Sequence, residues 1–406
     1  MNKIKKYLLN FSAIVFFLLN NAGLPAPLAW TNFIALGEIK NNFSKEDFKL
    51  TGLVVLGLLL FGLVHFLQGV QIEYFIQSQL YFIYLLGSML LVYKFLKRHS
   101  GQFERSFQIA LYGIICLYVI ALLFYNSSYD FIFWENHDFV GTGNVFKRYQ
   151  GLSYEPSHLA LIISPLFFYA FLVFCKTPTL KAFLLFIGIS IPILATVSFG
   201  FFGALFFSFI TVVFTLYLKY KTMEKVFVAF LIIAMLVFMA IFSFENGIQE
   251  RFIVIFSGHD SSVNGRFHEA FYLGYKCAQQ KNLFFGIGPG QIKVIGEEVI
   301  RPFYQPWDPI GYSKGNWPIL ALPNASAETL AIFGFVGLFL RFGIQFYMFF
   351  RTKVYQNYFR FFLFSFLFFY QLMGSFYNST AELTLWVLCY IPIFRKFDLP
   401  SFNGSK

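Results

Sequence analysis

The stretch Arg148–Lys176, RYQGLSYEPSHLALIISPLFFYAFLVFCK, decides how the chain is read. Its first eleven residues hold Arg148, Tyr149, Glu155 and His158. An apolar run over 158–175 follows, long enough to cross a bilayer, which takes about 20 residues and as few as about 17. Charge and imidazole at the edge of such a run are costly unless they face water, a partner or a substrate.

The same texture continues outward in both directions. The chain is 58% hydrophobic and 13% charged, with 61 Phe among 406 residues. Soluble domains carry about 25% charged residues. The composition therefore predicts an all-α, polytopic integral membrane protein, a single membrane domain over residues 1–406. A β-barrel would alternate in short segments, and these runs are continuous. The net charge of +11 does not point to nucleic acid. Most Lys and Arg cluster between apolar runs, as in cytoplasmic loops, so the partner expected is the lipid bilayer. The four Cys show no C-x-x-C and no Cys/His ligand spacing. Neither a disulfide framework nor a metal site is signalled, and no cofactor is expected.

Length and apolarity place spans near 51–68, 78–95, 107–125, 158–175, 182–198, 201–218, 226–243, 327–350, 360–376 and 381–397. Residues 6–37 make one crossing, or two that turn at Asn20-Asn21; the start is read as a membrane anchor and not a cleaved leader. The basic segments Lys94–Arg105, Lys176–Lys181, Lys219–Lys225 and Arg351–Arg360 alternate as cytoplasmic loops. Keeping Lys3, Lys5, Lys6 and Lys40–Lys49 inside requires two crossings, hence twelve spans with both ends cytoplasmic; eleven is the alternative. Two outer segments remain, 126–157 and 244–326.

The first outer segment leads into Glu155-Pro156-Ser157-His158. Arg148 presents a guanidinium fork suited to phosphate. Glu155 and His158 share one face if a helix starts at Pro156, and Ser157 stands at cap-like spacing. The plain alternative is that Arg148 and Glu155 pair with each other. In the second segment, a helix from Asn264 would set its N-terminus and Arg266 as an anion site, beside His268 and Glu269. The plain alternative is an Arg266–Glu269 pair. Gly286-Ile-Gly-Pro-Gly290 lacks the strand and helix of a dinucleotide fold and reads as a tight turn. Trp134, Trp307, Trp317 and many Tyr argue against disorder in the outer segments, and the aromatic faces of Arg301–Asp308 and Trp317 fit a membrane-interface belt or a sugar platform. Asn324 and Glu328 enter the next span, where Gly334 and Gly337 suit close helix packing. Arg341 lies midway along it and is expected to snorkel. Ser198 sits on a short outer turn, and Glu382 opens the last span.

The order of these features resembles the O-antigen polymerase / O-antigen ligase superfamily of bacterial envelope polysaccharide assembly. It runs Arg148-x-x-Gly-Leu-Ser-x-Glu-Pro-Ser157, Thr196-x-Ser198, Gly265-Arg266-Phe267, Gly286-Ile-Gly-x-Gly290, then Asn324 before Phe333-Gly334-x-x-Gly337. The resemblance spans roughly residues 107–340. It implies a GT-C-like, inverting, metal-independent glycosyltransferase at the periplasmic face of the bacterial inner membrane. The donor and acceptor would be undecaprenyl-diphosphate-linked glycans, and a chain-length regulator and a flippase would be partners. The external arginines of the family correspond to Arg148 and Arg266. Pro323-Asn324 stands where ligases carry His-Asn, which favours a repeat-unit polymerase of O-antigen, capsule or exopolysaccharide over a ligase.

The chemistry of the transfer makes Glu155 the first candidate for the base, with His158 or His268 behind it, and Arg148 and Arg266 the stabilisers of the diphosphate leaving group. Tyr149, His158, Ser198, His268, Glu269, Asn324 and Glu328 are the substrate-binding candidates. A transporter or flippase is the competing class. It predicts buried mid-span charge and broken helices, whereas here polarity concentrates in the outer segments, Arg341 excepted.

Overall fold

The structure, a computed structural model, describes residues 10–20, 22, 30–36, 44–138, 145–220, 261–306, 322–374 and 379–399. Among the described residues five helices are long and apolar enough to cross a membrane: Asp47–Leu67, Ile72–Arg98, Ser100–Leu123, Pro156–Lys176 and Ala325–Arg351. The chain is therefore a predominantly α-helical, membrane-embedded protein. The helices are α1 (Asn10–Leu19), α2 (Trp30–Leu36), α3 (Lys45–Leu67), α4 (Ile72–Arg98), α5 (Phe103–Leu123), α6 (Pro156–Lys176) and α7 (Leu180–Ala195). They continue with α8 (Phe199–Tyr220), α9 (Ser261–Arg266), α10 (His268–Gln279), α11 (Ile292–Tyr304), α12 (Ala325–Arg351), α13 (Tyr358–Tyr370) and α14 (Thr380–Tyr390).

Helix α6 is the central post. Pro156 sets its first turn and holds Glu155 extended, as a residue before proline must be. Of its apolar window 78% is buried against the rest of the chain, as against 12% for Asp47–Leu67, which faces outward. The fully buried rings of Phe168, Phe171, Phe186, Phe209, Phe362 and Phe366 fill the space between α6, α7, α8 and α13. Their contacts range from the Phe168–Phe362 stack to the edge-on meeting of Phe171 and Phe209. Such pairs add to what their buried area contributes.

Several expected spans change. Helices α7, α13 and α14 have 16, 13 and 11 residues. At about 1.5 Å per residue each falls short of the roughly 30 Å hydrocarbon core. In the 6–37 region α1 and α2 are separate short helices, joined where the Trp30 amide donates to Asn20 O at 2.7 Å. The expected span at 226–243, with Trp307 and Trp317, lies outside the described residues.

Arg360, expected as a loop charge, is buried within α13. Its Nε donates to Cys389 O at 2.9 Å, and Nη2 donates to Thr352 O at 2.8 Å and Tyr390 O at 3.1 Å. It thereby satisfies carbonyls left open at the ends of both α12 and α14.

Helix α12 is broken. Gly334 has φ 64° and ψ −164°, a conformation open essentially to glycine alone. The loop Leu283–Gly288 lies along the break and satisfies the backbone there. Ile287 N donates to Ala331 O at 3.0 Å, Gly288 N to Ile332 O at 2.9 Å, Phe335 N to Leu283 O at 3.1 Å and Val336 N to Phe284 O at 2.9 Å. The glycine run does form tight turns, with positive φ at Gly286, Gly288 and Gly290. Gly334 is thus the break itself and not a helix-packing surface. Before the break, Ala327 and Ala331 join a second, smaller apolar core with Ala270, Leu273 and Cys277 of α10 and Ile292 and Ile300 of α11.

Residues 126–157, expected as a loop, carry an antiparallel hairpin of β1 (Trp134–Asp138) and β2 (Val145–Tyr149). Trp134 Nε1 donates to Ala121 O at 2.9 Å, tying the hairpin to the last turn of α5. Trp134 is therefore a core anchor.

Candidate functional site

The hairpin fixes Arg148. Glu135 lies directly opposite it in the strand register, and Arg148 Nη1 reaches Glu135 Oε2 at 3.1 Å. Its Nε donates to Thr196 O at 3.1 Å, at the turn between α7 and α8. The plain alternative, an Arg148–Glu155 pair, is not formed. In that turn Val197 holds φ 45°, a strained value for a β-branched residue. The neighbouring Ser198 is buried, and its hydroxyl makes no hydrogen bond. Tyr149 is fully buried against Tyr118 and Trp134, and burial pushes its hydroxyl above the ordinary tyrosine range. It is a core residue, closed to substrate.

Glu155 sits seven residues on, at the mouth of α6. Arg266 Nη2 reaches Glu155 Oε1 at 3.4 Å, with side-chain exposures of 32% and 28%. This pair joins the two outer segments across 111 positions of sequence, and it stands in place of the alternative Arg266–Glu269 pair. Ser157 is not the cap; Glu155 is the cap residue, and the Ser157 hydroxyl donates to its carboxylate. Tyr370 closes the site from below. Its hydroxyl lies 3.4 Å from Ser157 O, and it stands within electrostatic reach of Arg266, Glu155 and Glu382.

Three other expectations change. Helix α9 spans Ser261–Arg266, so Arg266 ends a helix and does not sit at an N-terminal anion site. His268 opens α10 and is exposed, while the Glu269 carboxylate faces Gly265 on the same side as the Tyr304 hydroxyl. Asn324 is fully buried and saturated: Oδ1 accepts from Ser326 N and Ala327 N, and Nδ2 donates to Arg266 O and Leu372 O. An amide has no further capacity, so Asn324 positions the Arg266 backbone and holds no substrate. His158 is half-buried and lies against the Tyr154 ring, centroids 4.5 Å apart.

Below the mouth the sequence reading missed a polar network. Arg341 does not snorkel. It lies ten residues, about 15 Å of helix, above Arg351. Its Nε donates to Gln371 Oε1 at 2.8 Å, Nη1 to Thr329 Oγ1 at 3.1 Å, and Nη2 is 3.6 Å from Glu382 Oε1. In a straight helix Arg341 and Thr329 would be about 18 Å apart along the axis; the break at Gly334 folds them together. Glu328 is buried beside them and acts on the same guanidinium. The sequence signal was a charged residue opening or interrupting an apolar run, at Glu328, Arg341 and Glu382.

Among the described residues no three His, Cys, Asp or Glu side chains gather as a metal site requires. An apolar cavity of about 50 Å³ lies away from the charged mouth, between α1, α4, α5 and α14, lined by Phe16, Val92, Phe107 and Leu388 among others. Compared with protein-family models, with curated proteins and with solved structures, the chain matches none.

Proposed function

We propose that the protein joins undecaprenyl-diphosphate-linked oligosaccharide repeat units into a bacterial envelope polysaccharide at the outer face of the inner membrane. The topology in this reading is twelve spans with both ends cytoplasmic, in a GT-C-like architecture. The observation that supports it most is the Arg266–Glu155 pair at the mouth of α6, with Arg148 held on the neighbouring hairpin. Two arginines face two carboxylates there. The long Arg266–Glu155 contact is the exchangeable one. An incoming diphosphate takes Arg266, and the Glu155 carboxylate, released from its cation, is open to accept from an acceptor hydroxyl.

The reaction then follows. The acceptor hydroxyl attacks the anomeric carbon, its proton passes to Glu155, and the sugar–oxygen bond to diphosphate breaks. The electron pair leaves on the diphosphate oxygens, where Arg148 and Arg266 stabilise it. The linkage carries its own driving force, so no nucleotide is required. Transfer to a lipid or protein acceptor by a ligase is the variant with the same chemistry.

A second reading, a carrier or flippase for lipid-linked glycan, draws support from the broken α12 and the interior charges Arg341, Glu328 and Glu382. Both are features of carriers. The separating experiment is in vitro. Purified protein with undecaprenyl-diphosphate repeat units gives a ladder of longer glycans if it polymerises, and Arg266→Ala or Glu155→Gln removes the ladder at equal protein. Absence of any ladder, with movement of the glycan-lipid across vesicles, favours the carrier. A ladder undiminished in both variants refutes the site.

A further inference from the structure

Two exposed rings adjoin the Arg266–Glu155 pair, one from each outer segment. Tyr154 directly precedes Glu155 and is 57% exposed; Phe267 directly follows Arg266 and is 51% exposed. Single exposed apolar side chains are ordinary on a protein surface. These two adjoin one ion pair, which itself joins their segments across 111 positions. The Tyr154 ring leans on the His158 imidazole in the first turn of α6, centroids 4.5 Å and planes 33° apart. His158 thus supports one face of the phenol. Tyr154 also lies within electrostatic reach of Glu155 and of the Tyr370 hydroxyl. Phe267 has a fixed base. Asn324 Nδ2 holds Arg266 O at 2.8 Å, and Phe267 N donates to Asn264 O at 3.2 Å. Among the described residues its ring meets no other aromatic ring.

The carboxylate beside these rings is half engaged. Glu155 Oε1 takes both contacts, from Arg266 Nη2 at 3.4 Å and from the Ser157 hydroxyl. Among the described residues Oε2 takes none, so it keeps its full capacity as an acceptor. Flat apolar faces beside an ionised acceptor are the complement of a pyranose. One face of such a ring is a sheet of C–H groups that packs on an aromatic face, and its rim carries hydroxyl donors. An aliphatic chain on the same rings would leave Oε2 unpaired, and an inorganic anion would use neither ring.

We propose that Tyr154, Phe267 and Glu155 Oε2 form a pyranose-binding subsite at the mouth, with the C–H face of the sugar on the aromatics and a rim hydroxyl on Oε2. The inference rests on reading the mouth as a glycan site and adds the residues that select a sugar ring there. In the polymerase reaction that hydroxyl is the acceptor's, and it is aimed at Glu155 before attack. The competing role for both rings is anchorage at the membrane interface.

The test is saturation-transfer NMR of the full chain in lipid nanodiscs. The probes are methyl β-D-glucopyranoside, methyl β-D-galactopyranoside and methyl α-L-rhamnopyranoside, with sorbitol, which has the hydroxyls and no ring face, as control. The wild type is expected to saturate the ring C–H protons of a pyranoside and to leave sorbitol untouched. Tyr154→Leu and Phe267→Leu keep apolar bulk for anchorage and lose the aromatic face. Each is expected to weaken binding about 2- to 10-fold, whereas Tyr154→Phe retains it. Should one Leu variant fail to fold, the other decides alone. No transfer to any pyranoside, equal transfer to sorbitol, or undiminished transfer in the Leu variants overturns the subsite. The ladder assay is scored apart. Ring-dependent pyranoside binding without a ladder keeps the subsite and removes the polymerase, and a ladder with undiminished binding in the Leu variants does the reverse.

Discussion

Replacing Gly334 with Ala tests the broken helix directly. The backbone at φ 64° and ψ −164° costs a non-glycine residue about 1–3 kcal/mol. A Cβ there would lie 2.4 Å from Phe284 C and O and 2.6 Å from Gly286 N, all backbone atoms that cannot rotate away. Restoring ordinary contact, 3.4 Å or more, means moving the loop by about 1 Å. That shift stretches the four hydrogen bonds across the break, now 2.9–3.1 Å, beyond bonding distance. Each contributes about 0.5–1.5 kcal/mol net. Together with the strain, the expected destabilisation is about 3–9 kcal/mol, a large share of the roughly 5–15 kcal/mol typical of a folded protein. The assay is thermal unfolding in nanodiscs, paired with hydrogen exchange at the amides of Ile287, Gly288, Phe335 and Val336. These four are expected to lose protection together. Gly286→Ala meets Ile332 O at 2.5 Å and disturbs the same contact, so the double variant costs less than the sum of the two. An unchanged melting temperature with unchanged exchange at those amides refutes the reasoning.

Asn324→Ala removes a cap and takes the Asn324 donor from two part-buried carbonyls, so a loss of about 2–4 kcal/mol is expected, with loosening at Arg266 read by hydrogen exchange. Burial pushes the Cys277 thiol up to about 12, so alkylation of the folded protein at pH 8 is expected to spare Cys277 and label it only on unfolding. The sign runs the same way for stability: the raised value favours the fold below the ordinary thiol range and is lost as pH climbs towards 12, which alkaline unfolding of Cys277→Ala checks by a flatter loss.

The apolar runs made the long helices legible because burial in lipid leaves a continuous signal twenty residues long. The hairpin at Trp134–Tyr149 left no such trace, since each of its residues pairs with a partner on the other strand and not with a neighbour in sequence. Gly334 looked like a packing glycine because its neighbours Phe333, Phe335 and Val336 are as apolar as any span; only the loop lodged against it shows that the helix stops there. The mouth was half legible. Arg266 and Glu155 stood out as charges at membrane edges, but nothing in the chain says that they meet each other and not Glu269 and Arg148. Asn324 was noticed for its position and misjudged in its role, because saturation of an amide is visible only when all four partners are in place.

The Arg360 clamp has a mechanical consequence. One guanidinium bolts the lower ends of α12 and α14 to α13, while above the Gly334 break α12 is held by the Leu283–Gly288 loop and by α10. The two halves of one helix therefore answer to different parts of the chain: a load on α13 reaches the lower half, and a load on the outer segment reaches the upper.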